Sequence, residues 1–138
     1  MQKQIKLTPS EAEEQITVIA WADYVQHQYP ALRWLYHCPN GEYRSKATAK
    51  RLKAMGVKPG VPDLILPVPM HGYTGLVIEL KMGKNTPSPD QRRWLEHFAS
   101  IGWKTAVHYS CDAAISEIEE YLDIPKGLYK VGKALIKT

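Results

Sequence analysis

The segment Gly75–Lys81, Gly-Leu-Val-Ile-Glu-Leu-Lys, constrains this chain more than any other. Leu76, Val77, Ile78 and Leu80 are apolar at both odd and even positions, so a strand made from them is apolar on both faces. Such a strand belongs at the centre of a sheet covered on both sides. The rest of the chain must therefore supply two covering layers, and its patterning contains the helices to do so.

Thr8-Pro9-Ser10 followed by Glu-Ala-Glu-Glu-Gln reads as a capped helix start with acids in the first turn, and the helix is expected to run to Tyr29-Pro30. Arg33–His37 reads as a short strand ended by the turn Cys38-Pro39-Asn40-Gly41. Ser45 opens a short basic helix to about Met55. Gly56-Val57-Lys58-Pro59-Gly60-Val61-Pro62 is a rigid loop, because its prolines and glycines interrupt any ladder. A strand over Asp63–Pro67 follows, then the strand Gly75–Lys81. Ser88-Pro89-Asp90-Gln91 starts a helix that reaches Ser100 and stops at Gly102. Lys104–Tyr109 is a strand and Asp112–Leu122 a final helix. This order, with no internal repeat, describes one mixed α/β sandwich.

With 138 residues, 44% of them hydrophobic, a single core can bury roughly two thirds of the unfolded surface, and neither disulfides nor a structural metal is required. Cys38 and Cys111 lack the Cys-x-x-Cys spacing of a zinc knuckle or redox motif, and a reducing compartment is expected. The N-terminal sequence lacks a signal-like apolar stretch and no run of about 18 apolar residues occurs. The expectation is a cytoplasmic protein with no membrane segment. Trp21, Trp34, Trp94 and Trp103 fall on amphipathic positions and are expected to pack in the core, leaving no stacking platform for single strands.

Charge is segregated. The net charge is +4, and all of the excess lies after Pro125, in Lys126, Lys130, Lys133 and Lys137. Between Arg33 and Lys58 the basic residues Arg33, Arg44, Lys46, Lys50, Arg51, Lys53 and Lys58 face one acid, Glu42. The stretches Glu11–Asp23 and Asp112–Asp123 hold acids with no Lys or Arg. A basic middle and tail against acidic helices fits either a polyanion partner or the solvated faces of ordinary helices.

Glu79 and Lys81 are two residues apart and share one face of their strand. Charges at the end of an otherwise apolar strand cost several kcal/mol unless each has a partner. Asp63, at the mouth of the neighbouring strand, can converge on them. Two close carboxylates repel each other unless a cation lies between them, and oxygen-only ligands select hard ions such as Mg²⁺ or Mn²⁺. Lys81 beside such an ion can hold a water that attacks a phosphodiester. The bland alternative is a surface Glu79–Lys81 pair worth about 0–1 kcal/mol.

Pro62-Asp63 with Glu79-Leu80-Lys81 resembles the PD-(D/E)XK nuclease signature. The blocks GVKPGVPDLIL, GLVIELK, SPDQRRW and YSCDAAI…YL are similar to the VRR-NUC branch, especially its short stand-alone phage and bacterial members. The resemblance runs from about Glu11 to Leu122 and rests on four blocks in the family's order. It implies an α/β, restriction-endonuclease-like three-layer fold, with a central mixed β-sheet flanked by helices, and metal-dependent hydrolysis of DNA. Asp63 and Glu79 would be metal ligands, helped by the Leu80 carbonyl, and Lys81 would position the nucleophile. The family also carries a first-helix glutamate that completes the metal site. Glu11, Glu13 and Glu14 compete for that role; Glu11, four residues before Gln15, matches best and Glu14 next. Gln91 resembles a glutamine that faces the active site, or is an ordinary first-turn polar residue.

His37, Asn40 and Arg44 sit where relatives carry a similar N-G-x-x-R element. His37 is read as a packed or hydrogen-bonded residue in preference to a catalytic base. Asn40 and Arg44, with Lys46, Lys50, Arg51 and Lys53, are read as nucleic-acid contacts, the basic ones clamping phosphates next to the loop that leads to Asp63. The whole reads as a nuclease domain over residues 1–125 and a basic tail over 126–138. The expected activity is a Mg²⁺- or Mn²⁺-dependent deoxyribonuclease, an endonuclease directed by branched or junction DNA, acting as a homodimer without an organic cofactor. An exonuclease or flap nuclease on the same site, and a catalytically silent DNA-binding accessory protein, are the alternatives.

Overall fold

The computed structural model describes residues 10–39 and 45–127. Helix α1 (Glu11–Val25) is capped by Ser10, whose hydroxyl accepts from the Glu13 N–H at 3.2 Å. It ends before the expected Tyr29-Pro30, in a turn that leads to a 3-10 helix over Pro30–Trp34. Only Tyr36–His37 of the expected Arg33–His37 strand is extended, as β1. Proline at the start of the 3-10 helix fixes φ and favours the tight turn over the strand. Then come α2 (Lys46–Ala54), β2 (Leu64–Leu66), β3 (Leu76–Leu80), α3 (Pro89–Ser100), β4 (Lys104–His108) and α4 (Cys111–Leu122).

The four strands form one sheet in the order β1-β2-β3-β4, with β1–β2 and β2–β3 antiparallel and β3–β4 parallel. The sheet is therefore mixed, as expected. Every residue of β3 is buried, the consequence of its two-sided apolar pattern. Leu64, Leu66, Leu76, Ile78 and Leu80 share the main core with Val18, Trp21, Ala22 and Val25 of α1 and Ala114, Ile115 and Ile118 of α4. The alternate set, Ile65, Val77 and Glu79, points to the other face, where α3 packs on β3 and β4. The result is helix, sheet, helix: three layers with β3 in the middle.

Helix α2, like α3, has no fully buried residue. Local devices hold it instead: the Ser45 hydroxyl accepts from the Thr48 N–H, and Gly56, at φ +107°, closes the helix with Gly56 N–H to Lys53 O and Val57 N–H to Leu52 O, each 3.0 Å. That pairing is the Schellman arrangement, which needs a left-handed residue at this position. Among the described residues no helix is long and apolar enough to cross a membrane, and both cysteines are free.

Candidate active site

The β2–β3 register places Leu64 opposite Ile78, and one residue further brings Asp63 level with Glu79 at the mouth of the sheet. Both lie on the α3 face, because Asp63 alternates with Leu64 and Glu79 with Ile78. The Leu80 N–H donates to Asp63 Oδ2 at 2.8 Å, so the carboxyl is held by the backbone of the strand that carries Glu79. The two carboxyls interact directly. Burial and then the facing Asp63 push Glu79 up to about 8, with Lys81 opposing and Glu11 adding to the shift. Burial also raises Asp63, opposed by its bond from Leu80. Glu79 is only 1% exposed, which sets aside the surface-pair alternative for Glu79 and Lys81.

Gln91 meets this site while closing the start of α3. Its N–H and its Oε1 complete a reciprocal capping box with Ser88, at 3.2 and 2.8 Å, while its Nε2 donates to Glu79 Oε2 at 2.7 Å. The cap consumes the carbonyl oxygen and so orients the amide nitrogen toward Glu79. Gln91 thus caps the helix start and also contacts Glu79. Glu79 Oε1 remains buried without a hydrogen-bond partner.

The first-helix acids separate by position. Glu14 Oε1 accepts from the Cys111 N–H at 3.1 Å and so serves the start of α4. Glu13 is exposed, whereas Glu11 is half-buried and near enough to raise the proton affinity of Glu79. His37 Nδ1 lies 2.8 Å from the Asp63 carbonyl oxygen. A carbonyl only accepts, so Nδ1 carries the proton and the imidazole braces the Asp63 backbone. That is the hydrogen-bonded role expected for it.

The loop before Asp63 is locked onto α3. Trp94 Nε1 donates to the Pro59 carbonyl at 3.0 Å, and Gly60, at φ +88°, lies so close to the helix start that an added Cβ would stand 2.6 Å from the Asp90 carbonyl carbon. The loop delivering Asp63 is thus packed directly against the helix delivering Gln91. Sequence reasoning missed both contacts, although the Pro-Gly pair inside the loop was their visible trace.

Of the expected nucleic-acid contacts, Lys46, Lys50, Arg51 and Lys53 are all exposed on α2. Asn40 and Arg44 lie outside the described residues, as does the tail beyond Gly127. The expectation for the tryptophans is corrected: Trp21 is buried in the main core, Trp94 and Trp103 are half-buried outside it, and Trp34 is 58% exposed. The strand that would have turned it inward is replaced by the 3-10 helix, and Leu35 takes the inward position.

Among the described residues no three His, Cys, Asp or Glu side chains come together as a complete metal cage. The pair that does converge has the features a hard cation satisfies: an orphaned buried oxygen and two carboxyls whose burial raises their proton affinity, with Asp63 raising that of Glu79 further. Mg²⁺ keeps several waters and needs only one or two carboxylates from the protein, so the residues present fit such an ion.

Comparison with known proteins places the chain in a family. Among curated proteins the chain has no match. A solved structure described as "VRR_NUC domain protein" superposes with a TM-score of 0.71 at 31% identity, covering 87% of this chain and 93% of that one. The VRR-NUC domain family model matches residues 6–112, a span that holds Glu11, Asp63, Glu79, Lys81 and Gln91. The chain belongs to the VRR-NUC nuclease family, whose members are generally metal-dependent nucleases.

Proposed function

We propose that this protein is a Mg²⁺- or Mn²⁺-dependent DNA endonuclease directed by branched or junction DNA. The observation that carries the proposal is the contact between Asp63 and the buried Glu79, whose orphaned oxygen and paired carboxyls suit a cation. Asp63 and Glu79 would hold the ion, with the Leu80 carbonyl and Glu11 completing the protein's share. The ion supplies Lewis acidity at the scissile phosphate. Lys81, close enough to lower the proton affinity of both carboxyls, orients the attacking water. Gln91 fixes the rotamer of Glu79, and His37 fixes the backbone of Asp63. The lysines and arginine of α2 bind phosphates beside the site, without reading bases.

The nuclease domain is assigned to residues 1–125 and the basic tail to 126–138, and the active form to a homodimer, since twofold-related sites suit a symmetric junction. Plasmid nicking and cleavage of labelled duplex, flap, splayed-arm and four-way-junction substrates test the proposal. Asp63→Ala, Glu79→Ala and Lys81→Ala are each expected to lower cleavage by orders of magnitude while DNA binding survives. Near wild-type turnover by Glu79→Ala in Mg²⁺ would refute the site. End-dependent cutting would shift the assignment to an exonuclease or flap nuclease, and binding without cleavage by the wild type to an accessory protein.

A further inference from the structure

Leu35 packs against the core, while its neighbours on either side stay in solvent: Trp34 is 58% and Tyr36 49% exposed. Single exposed aromatics need no explanation, but the position of these two is informative. Tyr36 pairs with Ile65, and paired residues share a face. Ile65 in turn lies on the same side of the sheet as Asp63, Val77 and Glu79, so the Tyr36 ring stands on the face that carries the two carboxyls. Two residues of strand and one strand spacing put it roughly 8 Å from the level of Asp63. α3 packs on this face over β3 and β4, and among the described residues none buries Trp34 or Tyr36 at the β1 edge. Arg33, exposed beside Trp34, begins the most basic stretch of the chain.

We propose that Trp34 and Tyr36 form a stacking step for unpaired bases of the strand delivered to Asp63 and Glu79. The inference rests on the nuclease reading above and narrows its substrate class. Bases inside a duplex hide their faces against one another, so an aromatic step engages only nucleotides that are already unpaired. Arg33 and the α2 cations hold the phosphates on either side without regard to pairing. The preferred substrate is therefore DNA with several unpaired nucleotides next to the cut, such as a splayed arm, in preference to continuous duplex.

The test uses the full chain and three variants: Trp34→Phe, Trp34→Ala and the double variant Trp34→Ala with Tyr36→Thr, in which threonine keeps the strand propensity of position 36. Binding of oligothymidylate is followed in EDTA by tryptophan fluorescence and by anisotropy of a labelled strand. Cleavage of splayed-arm and fully paired substrates is followed in Mg²⁺, and thermal melts verify folding. Stacking contributes a factor of roughly 5 to 150 per base, so the double variant should lose at least about 10-fold in oligothymidylate affinity. Its kcat/KM preference for splayed arm over duplex should shrink by a similar factor. The salt slope of binding should stay unchanged, since stacking releases no counterions. Trp34→Phe should keep most of the affinity while losing part of the fluorescence quench.

Unchanged oligothymidylate affinity in the double variant overturns the inference, as does an equal loss on splayed-arm and duplex substrates. A dimer that dissociates in the double variant with oligothymidylate affinity intact assigns this edge to a second copy of the chain and also overturns it. Failure of the nuclease reading has a different signature, no cleavage of any substrate by the wild type, and leaves the binding comparison in EDTA decisive on its own.

Discussion

Replacing Glu79 by glutamine is expected to stabilise the metal-free protein at neutral and alkaline pH while abolishing cleavage. Glu79 is buried, and burial with the facing Asp63 raises it from 4.5 to about 8. The folded protein therefore binds this proton more tightly than the unfolded chain. The associated stability is complete below the unfolded value of 4.5 and is lost as pH rises through about 8. At about 1.4 kcal/mol per pH unit, ionising Glu79 costs the metal-free fold up to about 5 kcal/mol. Asp63, also raised, adds a loss of the same sign. Glutamine has the same shape and no charge. Its carbonyl can accept from Gln91 Nε2, and its amide nitrogen, replacing the oxygen orphaned in Glu79, can donate toward Asp63. Urea unfolding in EDTA at intervals from about pH 4.5 to above about pH 8 measures the effect. The wild-type curve should fall by several kcal/mol while that of Glu79→Gln stays much flatter, and the two should cross, leaving the variant more stable on the alkaline side. Adding Mg²⁺ should rescue the wild type selectively. Parallel curves would refute the electrostatic account of the site.

Cleavage should require Mg²⁺ or Mn²⁺, be weak or absent with Ca²⁺, whose longer and looser ligation poorly organises an attacking water, and disappear in EDTA; strong cleavage in EDTA or a requirement for Zn²⁺ would contradict an oxygen-ligated hard-ion site. Gly60→Ala should destabilise the fold by about 1–3 kcal/mol, because its Cβ would press on Asp90 and its φ is +88°, and should lower cleavage more than it lowers DNA affinity, as judged by melts alongside filter binding. Removing residues 126–138 should flatten the slope of log affinity against log salt by up to about 3 units, since Lys126 is already paired with Glu120 at 3.2 Å; an unchanged slope would show that the tail does not meet phosphates. Sedimentation at micromolar concentration should give a homodimer, and a monomer that cuts a four-way junction symmetrically would remove the dimer from the proposal.

The layers of the fold were legible because each rests on a local rule. Two-sided apolarity placed β3 at the centre of the sheet, Ser88-Pro89 started α3 within a residue of its observed limit, and Gly102 marked where that helix stops. The misplaced part, Arg33–His37, is where local rules compete. Aromatic and aliphatic residues favour a strand there, while Pro30 favours a tight helical turn, and tertiary packing of Leu32 and Leu35 settled the contest. That shift is why Trp34 lies outside the core. Within the site, types and faces were readable from Pro62-Asp63 and Glu79-Leu80-Lys81. The choice between Glu11 and Glu14 was not, since it depends on the Cys111 N–H, 97 residues away in sequence from Glu14. The bond from Trp94 to Pro59, 35 residues apart, is equally invisible without the fold.

The site places its costs where the rest of the structure can bear them. A carboxyl buried in the central strand opposes folding, and β3 tolerates it because the other positions of that strand are fully apolar and buried. The polar groups that hold it come from three elements: Asp63 from the strand beside it, Gln91 from the capped start of α3, and Lys81 from the chain just past the strand. The Asp63 carboxyl is held by the Leu80 N–H and the Gln91 amide by the Ser88 N–H, while Lys81 is anchored through its backbone, N–H to His108 O at 3.0 Å. The two side chains tethered in this way lose little entropy on meeting a charged ligand, and the attraction between an ion and a carboxylate is strong where water is excluded. Glu79 therefore destabilises the empty protein for the same reason that it suits a cation, and the pH dependence of folding and the metal dependence of cleavage are two readings of one buried charge.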